Sequence, residues 1–262
     1  MLNINSISKT FFPGTVNEKI ALDKLSLTMK SGEFLTVIGG NGAGKSTLLN
    51  SIAGGISVDE GSIVLKGEDI TKLPLHKRAS MIGRVFQDPM KGTIANMSLS
   101  ENLALASRRG KKLGLRWGIN DGLIYRDRLA LLDLGLEDRM FTKVGLLSGG
   151  QRQAVTLMMA ILQKPDLLLL DEHTAALDPK TAKKILQLTE DLVRENNQTT
   201  LMITHNMRDA INLGNRLIMM DDGKIVLDLE GAEKSNLTVS SLLEAFESKS
   251  DSIFDDAALL AV

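Results

Sequence analysis

The chain has 262 residues, with 31 basic against 32 acidic residues and no cysteine, which excludes disulfides and thiolate metal sites. This length suffices for one large domain or a domain with a subdomain, and the charge balance excludes a strong field that would favour nucleic acid as the main partner. The N-terminal residues lack the pattern of a signal peptide and the apolar runs are too short to span a bilayer, so we expect another chain to supply any membrane span.

Predicted strands and helices alternate along the chain. The segment before residue 30 is rich in strand-forming residues, and Phe34–Ile38 predicts a buried strand. The aliphatic segment Leu48–Ala53 predicts a helix. Further along, Leu167–Leu170 and Thr200–Thr204 predict two more buried strands, as in an α/β sheet.

The middle of the chain has a different, helical character. Between about residues 88 and 160 there are few strand signals, and we predict a helical subdomain inserted in the core.

Near the C-terminus, Asp222-Gly223 separates the apolar runs Arg216–Asp221 and Lys224–Leu229, which predicts a tight hairpin. Residues 230–262 form a tail with a predicted apolar helix at Leu242–Phe246 and no recognisable motif.

A glycine-rich loop follows the first buried strand and matches G-x-x-x-x-G-K-S between a strand and a helix. It consists of Gly39, Gly40, Asn41, Gly42, Ala43, Gly44, Lys45, Ser46 and Thr47. Glycines let successive backbone N–H groups point at phosphate oxygens, and the helix N-terminus favours negative charge. We therefore predict nucleotide binding, with Lys45 on the β- and γ-phosphates and Ser46 on Mg²⁺.

Two carboxylates, Asp171 and Glu172, end the second buried strand, where an open α/β sheet holds its ligand. We predict that Asp171 holds Mg²⁺ through its water shell and that Glu172 polarises the water that attacks the γ-phosphate. These features fit many phosphate-loop enzymes, including kinases, helicases and motor ATPases.

A second anion-binding motif distinguishes this chain from most of those enzymes. Ser148, Gly149, Gly150 and Gln151 open a predicted helix with Ser148 as its N-cap. Because one loop already cradles a nucleotide, we expect this second motif to serve the nucleotide of another copy, in a two-fold sandwich.

The order and spacing of these motifs over residues 1–229 resemble the ABC (ATP-binding cassette) ATPase family. The resemblance implies an α/β fold with a P-loop NTPase core, an N-terminal antiparallel β subdomain and the inserted helical subdomain. It assigns four further site residues: Gln87 at the junction of core and subdomain, Asp178 in the loop that crosses the dimer, His205 as the γ-phosphate switch, and Phe11 stacking on adenine. Gln87 in the family contacts Mg²⁺ and the attacking water.

The resemblance also implies partners. We expect a head-to-tail ATP sandwich with a second copy, a separate integral membrane permease, an extracytoplasmic solute-binding protein, and a peripheral position on the cytoplasmic face of the membrane. His173 departs from the family, which usually has proline there. The basic stretch Ser107–Tyr125 exceeds a minimal cassette, and we interpret it as a solvated loop rather than a docking element.

Three functions are alternatives to that of an importer ATPase. An efflux or lipoprotein-extraction complex is the runner-up to an importer. A DNA- or ribosome-associated ATPase is disfavoured because only about sixty residues separate Gln87 from Ser148 and the chain has one cassette. A non-hydrolysing regulatory module is disfavoured because Glu172 and His205 are both present. The sequence segments around Gln87 and Asp171 resemble those of a bacterial transporter subgroup, some of whose members are linked to aromatic amino acids such as tryptophan or tyrosine.

Overall fold

The computed structural model describes residues 1–109 and 121–247, so most of the basic stretch 107–125 and the end of the tail lie outside the described residues. The chain forms two compact units. The first contains Met1–Arg78 and the chain from Gln198 onward, and the second contains Ala79–Asn197. The predicted helical subdomain, residues 88–160, falls within the second unit, and its independence remains a prediction.

The first unit begins with an antiparallel sheet, which confirms the predicted N-terminal β subdomain. Its strands are β1 (Leu2–Phe11), β2 (Lys19–Met29), β4 (Glu60–Leu65) and β5 (Glu68–Asp69), in the order β2-β1-β4-β5. Every neighbouring pair in this sheet is antiparallel.

A second set of strands in the first unit carries the glycine-rich loop. It comprises β3 (Phe34–Gly39), β8 (Thr200–Ile203), β9 (Arg216–Asp221) and β10 (Lys224–Glu230). β3 lies between β8 and β9 and is parallel to both, whereas β10 pairs antiparallel with β9. All six residues of β3 are buried, as expected for a parallel strand covered on both faces.

The helices of the first unit are α1 (Lys45–Ala53), α2 (Leu75–Arg78), α7 (Met207–Asn212), α8 (Gly231–Ser235) and α9 (Val239–Glu247). α1 begins three residues earlier than predicted, because Gly44 ends the loop in a left-handed conformation and Lys45 is already helical. The hairpin prediction is confirmed, since Asp222 and Gly223 both have positive φ angles, 43° and 75°.

The described part of the tail packs onto the first unit. Helix α9 confirms the predicted apolar helix, and Leu242 is fully buried in a cluster with Met219 and Leu227 of the hairpin. This part of the tail therefore contributes to the core.

The second unit holds a parallel strand pair and longer helices. Its elements are β6 (Ile82–Val85), α3 (Leu99–Ala106), α4 (Asp121–Ala130), α5 (Gly149–Ile161), β7 (Leu167–Asp171) and α6 (Pro179–Glu195), with short 3-10 turns at Pro89–Gly92 and Val144–Leu146. β6 and β7 are parallel, with Val85 opposite Leu170. Residues Leu167–Leu170 are fully buried, which confirms the predicted strand.

Arg78 anchors the C-terminal end of α1. Its guanidinium is buried, and Nη1 donates to the carbonyls of Ser51 and Ile52 at 2.7 and 2.8 Å. These two carbonyls belong to the last turn of α1, where helical partners are absent. Nε and Nη2 donate to the carbonyls of Leu73 and Thr71.

We expect Arg78→Met to lower the free energy of unfolding by about 3 kcal/mol, because it leaves several buried carbonyls without donors. Urea denaturation measures this change. The exposed neighbour His76→Ala serves as a control and should stay within about 0.5 kcal/mol of the wild type. Equal midpoints for both variants would contradict the anchoring role.

Candidate functional site

The glycine-rich loop has a backbone that only glycine fits at two positions. Gly39 has φ 148°, and a Cβ there would lie 2.1 Å from the Met220 carbonyl oxygen. Gly44 has φ 99°, and its Cβ would lie 2.3 Å from the Ala21 carbonyl oxygen. The loop therefore curls tightly between β3 and α1 and leads into the N-terminus of α1, which is a suitable cradle for phosphate.

Lys45 folds back over this loop. Its side chain is buried, and Nζ donates to the carbonyls of Gly39 and Gly40 at 2.6 and 2.9 Å. The next residue, Ser46, is exposed. The structure thus places an ammonium group against the cradle and an accessible hydroxyl beside it.

A second ammonium group near the loop was missed from the sequence. Lys19, in β2, places Nζ 2.8 Å from the position that a Cβ on Gly42 would occupy. A lone lysine in a strand carries no motif, so no sequence signal distinguished it from a surface residue.

In the second unit, the carboxyl ends of β6 and β7 bring acidic and amide side chains together. Asp171 is the last residue of β7, and Glu172 follows with φ 43°. Gln87 Nε2 donates to Glu172 Oε2 at 3.2 Å. The predicted glutamine and glutamate are therefore direct neighbours, since the ends of parallel strands meet at one edge of a sheet.

His173, the departure from the family pattern, is a buried hydrogen-bonded residue. Its Nε2 lies 3.0 Å from Thr189 Oγ1 on α6. The Thr189 hydroxyl donates its proton to the Ile185 carbonyl at 2.8 Å, so its oxygen accepts from Nε2 of His173. Burial lowers the pKa of His173 to about 4.

The depressed pKa of His173 predicts a loss of stability in acid. An unfolded histidine has a pKa of about 6.5, so between pH 6.5 and 4 the unfolded chain binds more protons than the folded chain. His173 should therefore reduce the free energy of unfolding by roughly 3 kcal/mol as the pH falls through this window.

Urea denaturation at several pH values tests this, with His173→Gln expected to flatten the dependence. The exposed His76→Gln is the control and should keep the wild-type slope. A His173→Gln curve parallel to the wild type would contradict the assignment.

The second glycine motif opens α5. Ser148 is its N-cap, as predicted: its hydroxyl accepts from the Gln151 backbone N–H, and the Gln151 side chain accepts from the Ser148 N–H. Ser148 and Gly149 are exposed, so this helix end is open to a ligand.

Gly150 joins the second motif to the segment that contains Asp178. A Cβ on Gly150 would lie 2.1 Å from Thr181 Cγ2, so the start of α5 packs closely on the first turn of α6. Asp178 caps α6 and accepts from the Thr181 N–H at 3.1 Å. Hydrogen bonds from the Thr181 side chain and backbone lower the pKa of Asp178.

The two remaining predicted residues lie in the first unit. Phe11 is the last residue of β1 and is partly exposed, with Lys9 Nζ 5.8 Å from its ring centroid. His205 follows β8 and is exposed. Burial raises the pKa of Asp209, and the nearby charge of His205 opposes this shift.

A family model described as ABC transporter matches residues 22–175, which include the glycine-rich loop, the second motif and both strand-end carboxylates.

The chain belongs to the ABC transporter family.

Two relatives illustrate the range of this ABC transporter subunit's similarity. It is 47% identical over 249 residues to a tyrosine transport ATP-binding protein of Clostridioides difficile (strain R20291), covering 94% of this chain and 99% of that protein. It is 35% identical over 228 residues to a spermidine/putrescine import ATP-binding protein of Haemophilus influenzae (strain ATCC 51907 / DSM 11121 / KW20 / Rd), covering 87% of this chain and 57% of that protein. The chain thus spans little more than half of the second relative.

Solved ABC cassettes share its fold. A dimeric post-hydrolysis state of an ATP-binding cassette bound to ADP and Pi superposes with a TM-score of 0.75 at 30% identity, covering 88% of this chain and 98% of that chain. A nucleotide-free ATP-binding cassette from an ABC transporter gives 0.76 at 27% identity, covering 93% and 95%. These matches confirm the predicted P-loop NTPase fold. This ABC transporter subunit is an ATPase whose hydrolysis is coupled to transport.

The site chemistry of this ABC transporter subunit suits Mg²⁺ that arrives with a nucleotide. Across residues 1–109 and 121–247, no group of three or more His, Cys, Asp or Glu could hold a metal by itself. Mg²⁺ is usually held by one or two carboxylates together with substrate phosphates, so a preformed acidic cage is unnecessary. The predicted donors, Ser46, Gln87 and Asp171, offer the oxygen ligands that Mg²⁺ prefers.

Within the same described ranges, no helix combines the length and apolarity needed to cross a bilayer.

Proposed function

We propose that this chain energises the uptake of a small solute, with an aromatic amino acid such as tyrosine as the leading candidate. The observation that carries this proposal is the 47% identity to the tyrosine transport ATP-binding protein, which extends over nearly the full length of both chains. The identity falls to 35% for the spermidine/putrescine import protein, whose length this chain spans only in part.

For nucleotide binding, we assign the phosphate contacts to the glycine-rich loop. The backbone N–H groups of Gly39–Thr47 bind phosphate oxygens, and Lys45 neutralises the β- and γ-phosphates. Phe11 stacks on adenine, which its partial exposure permits. The positive φ angles of the loop and the bent-back Lys45 side chain support these assignments.

Mg²⁺, held by Ser46, Gln87 and Asp171, would neutralise phosphate charge when bound. Glu172 orients and polarises the attacking water, and Gln87 restrains the Glu172 carboxylate through its hydrogen bond of 3.2 Å. His205 contacts the γ-phosphate. Phosphoryl transfer depends mainly on positioning and charge neutralisation, which these groups supply.

A second copy of the chain completes the proposed ATPase. The residues Ser148, Gly149, Gly150, Gln151 and Asp178 act on the nucleotide held by the partner copy. The dimeric solved cassette and the open N-terminus of α5 support this assignment. ATP therefore joins two copies head to tail, and hydrolysis of the γ-phosphate releases them.

The remaining partners are an integral membrane permease and an extracytoplasmic solute-binding protein. The ATPase itself is peripheral, on the cytoplasmic face of the membrane. We assign no nucleic-acid partner, because the near-neutral charge provides no basis for one.

Uptake of radiolabelled tyrosine by cells lacking this chain tests the proposed solute. We expect uptake to be lost on deletion, restored by the wild-type chain and not restored by Lys45→Met, while Lys72→Met restores it. Labelled tryptophan, spermidine and methionine measured in parallel define the specificity.

Unchanged uptake of both aromatic amino acids would contradict the proposed solute. Increased retention of label after deletion would instead identify the efflux alternative. Restoration by Lys45→Met would show that uptake does not need the Lys45 ammonium and would contradict the nucleotide assignment on which the proposed function rests.

A further inference from the structure

Arg84 lies beside the aspartate that we assign to Mg²⁺. It is in β6, and its Nη2 lies 3.0 Å from Asp171 Oδ2 at the end of β7. Both side chains are mostly buried, with exposed fractions of 16% and 17%. An ion pair this sheltered from water restricts both partners far more than a surface pair would.

The same guanidinium also packs against the segment that carries Gln87. The Arg84 Cζ lies 4.5 Å from the centroid of the Phe86 ring, which is stacking distance for a cation and an aromatic ring. The Phe86 carbonyl accepts from Nε2 of Gln153, a buried residue of α5. Arg84 thus lies between the Phe86 ring on one side and the Asp171 carboxylate on the other.

These contacts form a continuous link between the two strand ends. Arg84 joins Asp171 to Phe86, the next residue is Gln87, and Gln87 bonds to Glu172. The link restrains two neighbouring carboxylates, at 171 and 172, from positions 84 and 87 on the β6 side. A carboxylate at the end of a strand would otherwise rotate freely about its side-chain bonds.

We propose that Arg84 is a positioning residue that orients the Asp171 carboxylate for Mg²⁺; this inference rests on the Mg²⁺ site assigned under the proposed function. Residues that hydrogen-bond a metal-binding carboxylate set its orientation, and their loss typically costs metal affinity. The positive charge of Arg84 acts in the opposite direction because it competes with the cation. Arg84 donates to Oδ2, and its planar group stacks on Phe86. We expect the effect on carboxylate orientation to exceed the effect of charge competition, which the titration below tests.

The test is a Mg²⁺ titration of nucleotide binding, with a fluorescent, non-hydrolysable ATP analogue as the probe. For Arg84→Met we expect the half-saturating Mg²⁺ concentration to rise roughly tenfold, whereas analogue binding in EDTA stays at the wild-type level. Arg84→Lys keeps the charge but loses the planar group, so an intermediate rise is expected. Arg126→Met, which removes an arginine from an exposed ion pair with Asp138, is the matched control and should titrate like the wild type.

An unchanged or lowered Mg²⁺ requirement in Arg84→Met would overturn the inference, and a lowered one would show that competition dominates. If Arg84→Met fails to fold by urea denaturation, Phe86→Leu replaces it, because it removes the stacking partner and should also raise the Mg²⁺ requirement. An unchanged requirement in folded Phe86→Leu would likewise overturn the inference.

Asp171→Asn separates this inference from the proposed function. If Asp171→Asn raises the Mg²⁺ requirement and Arg84→Met does not, only the role of Arg84 fails. If Asp171→Asn titrates like the wild type, the assigned Mg²⁺ site itself fails.

Discussion

Glu172→Gln is expected to slow ATP hydrolysis by about 10²–10⁴-fold, the usual contribution of a group that polarises the attacking nucleophile. The amide keeps the size of the side chain and its place beside Gln87, so ATP binding should persist. Because hydrolysis no longer separates the two copies, the variant should accumulate as an ATP-bound dimer. Phosphate release measures turnover, and size-exclusion chromatography with ATP and Mg²⁺, against a nucleotide-free sample, measures dimerisation.

Two further variants sharpen this experiment. Glu195→Gln removes an exposed carboxylate from the end of α6 and should hydrolyse ATP normally. Ser148→Arg, added to Glu172→Gln, should abolish the ATP-dependent dimer, because it fills the open N-terminus of α5. Normal turnover by Glu172→Gln would refute the catalytic role, and a dimer that survives Ser148→Arg would refute the role across the interface.

Lys45→Met is expected to weaken ATP binding by roughly 100-fold, since hydrogen bonds to charged groups contribute about 1.5–3 kcal/mol each. Methionine retains the buried stem but removes the ammonium that lies against the Gly39 and Gly40 carbonyls. Titration with a fluorescent ATP analogue measures the change in affinity.

Two other lysine variants provide comparisons for the affinity of Lys45→Met. Lys72→Ala, at an exposed lysine outside the loop, should bind the analogue like the wild type. The affinity of Lys19→Ala for the analogue should lie between those of Lys72→Ala and Lys45→Met. The Lys19 ammonium approaches the loop at Gly42, but the residue is exposed. Wild-type affinity in Lys45→Met, with normal unfolding, would remove Lys45 from the phosphate site.

The elements that the sequence predicted well are those whose signal is local. The buried strands at Phe34 and Leu167 follow from short apolar runs, and the hairpin follows from Asp222-Gly223. The start of α1 was placed three residues late. Apolar content indicates which face of a helix is buried, whereas the backbone at Gly44 sets where the helix begins.

The residues of the candidate site show the same distinction between local and long-range signals. The glycine-rich loop and the N-cap at Ser148 were predictable, because each depends on consecutive residues. The bond between Gln87 and Glu172 was not predicted. The family resemblance assigned both residues to the attacking water, whereas their direct contact depends on the pairing of β6 with β7 across 85 positions of sequence. Lys19 carried no signal at all, because only the approach of β2 to the loop makes it relevant.

From the sequence alone, the family and the glycine-rich loop could be identified and residues for ATP hydrolysis could be proposed, because short motifs carry this information in their spacing along the chain. The contacts around those motifs are evident only in the folded chain: Arg84 with Asp171, Arg78 with the last turn of α1, and His173 with Thr189. Each of these contacts joins residues that are distant or unpatterned in sequence. Their hydrogen-bond partners are therefore fixed by strand register and helix packing, which no local pattern encodes.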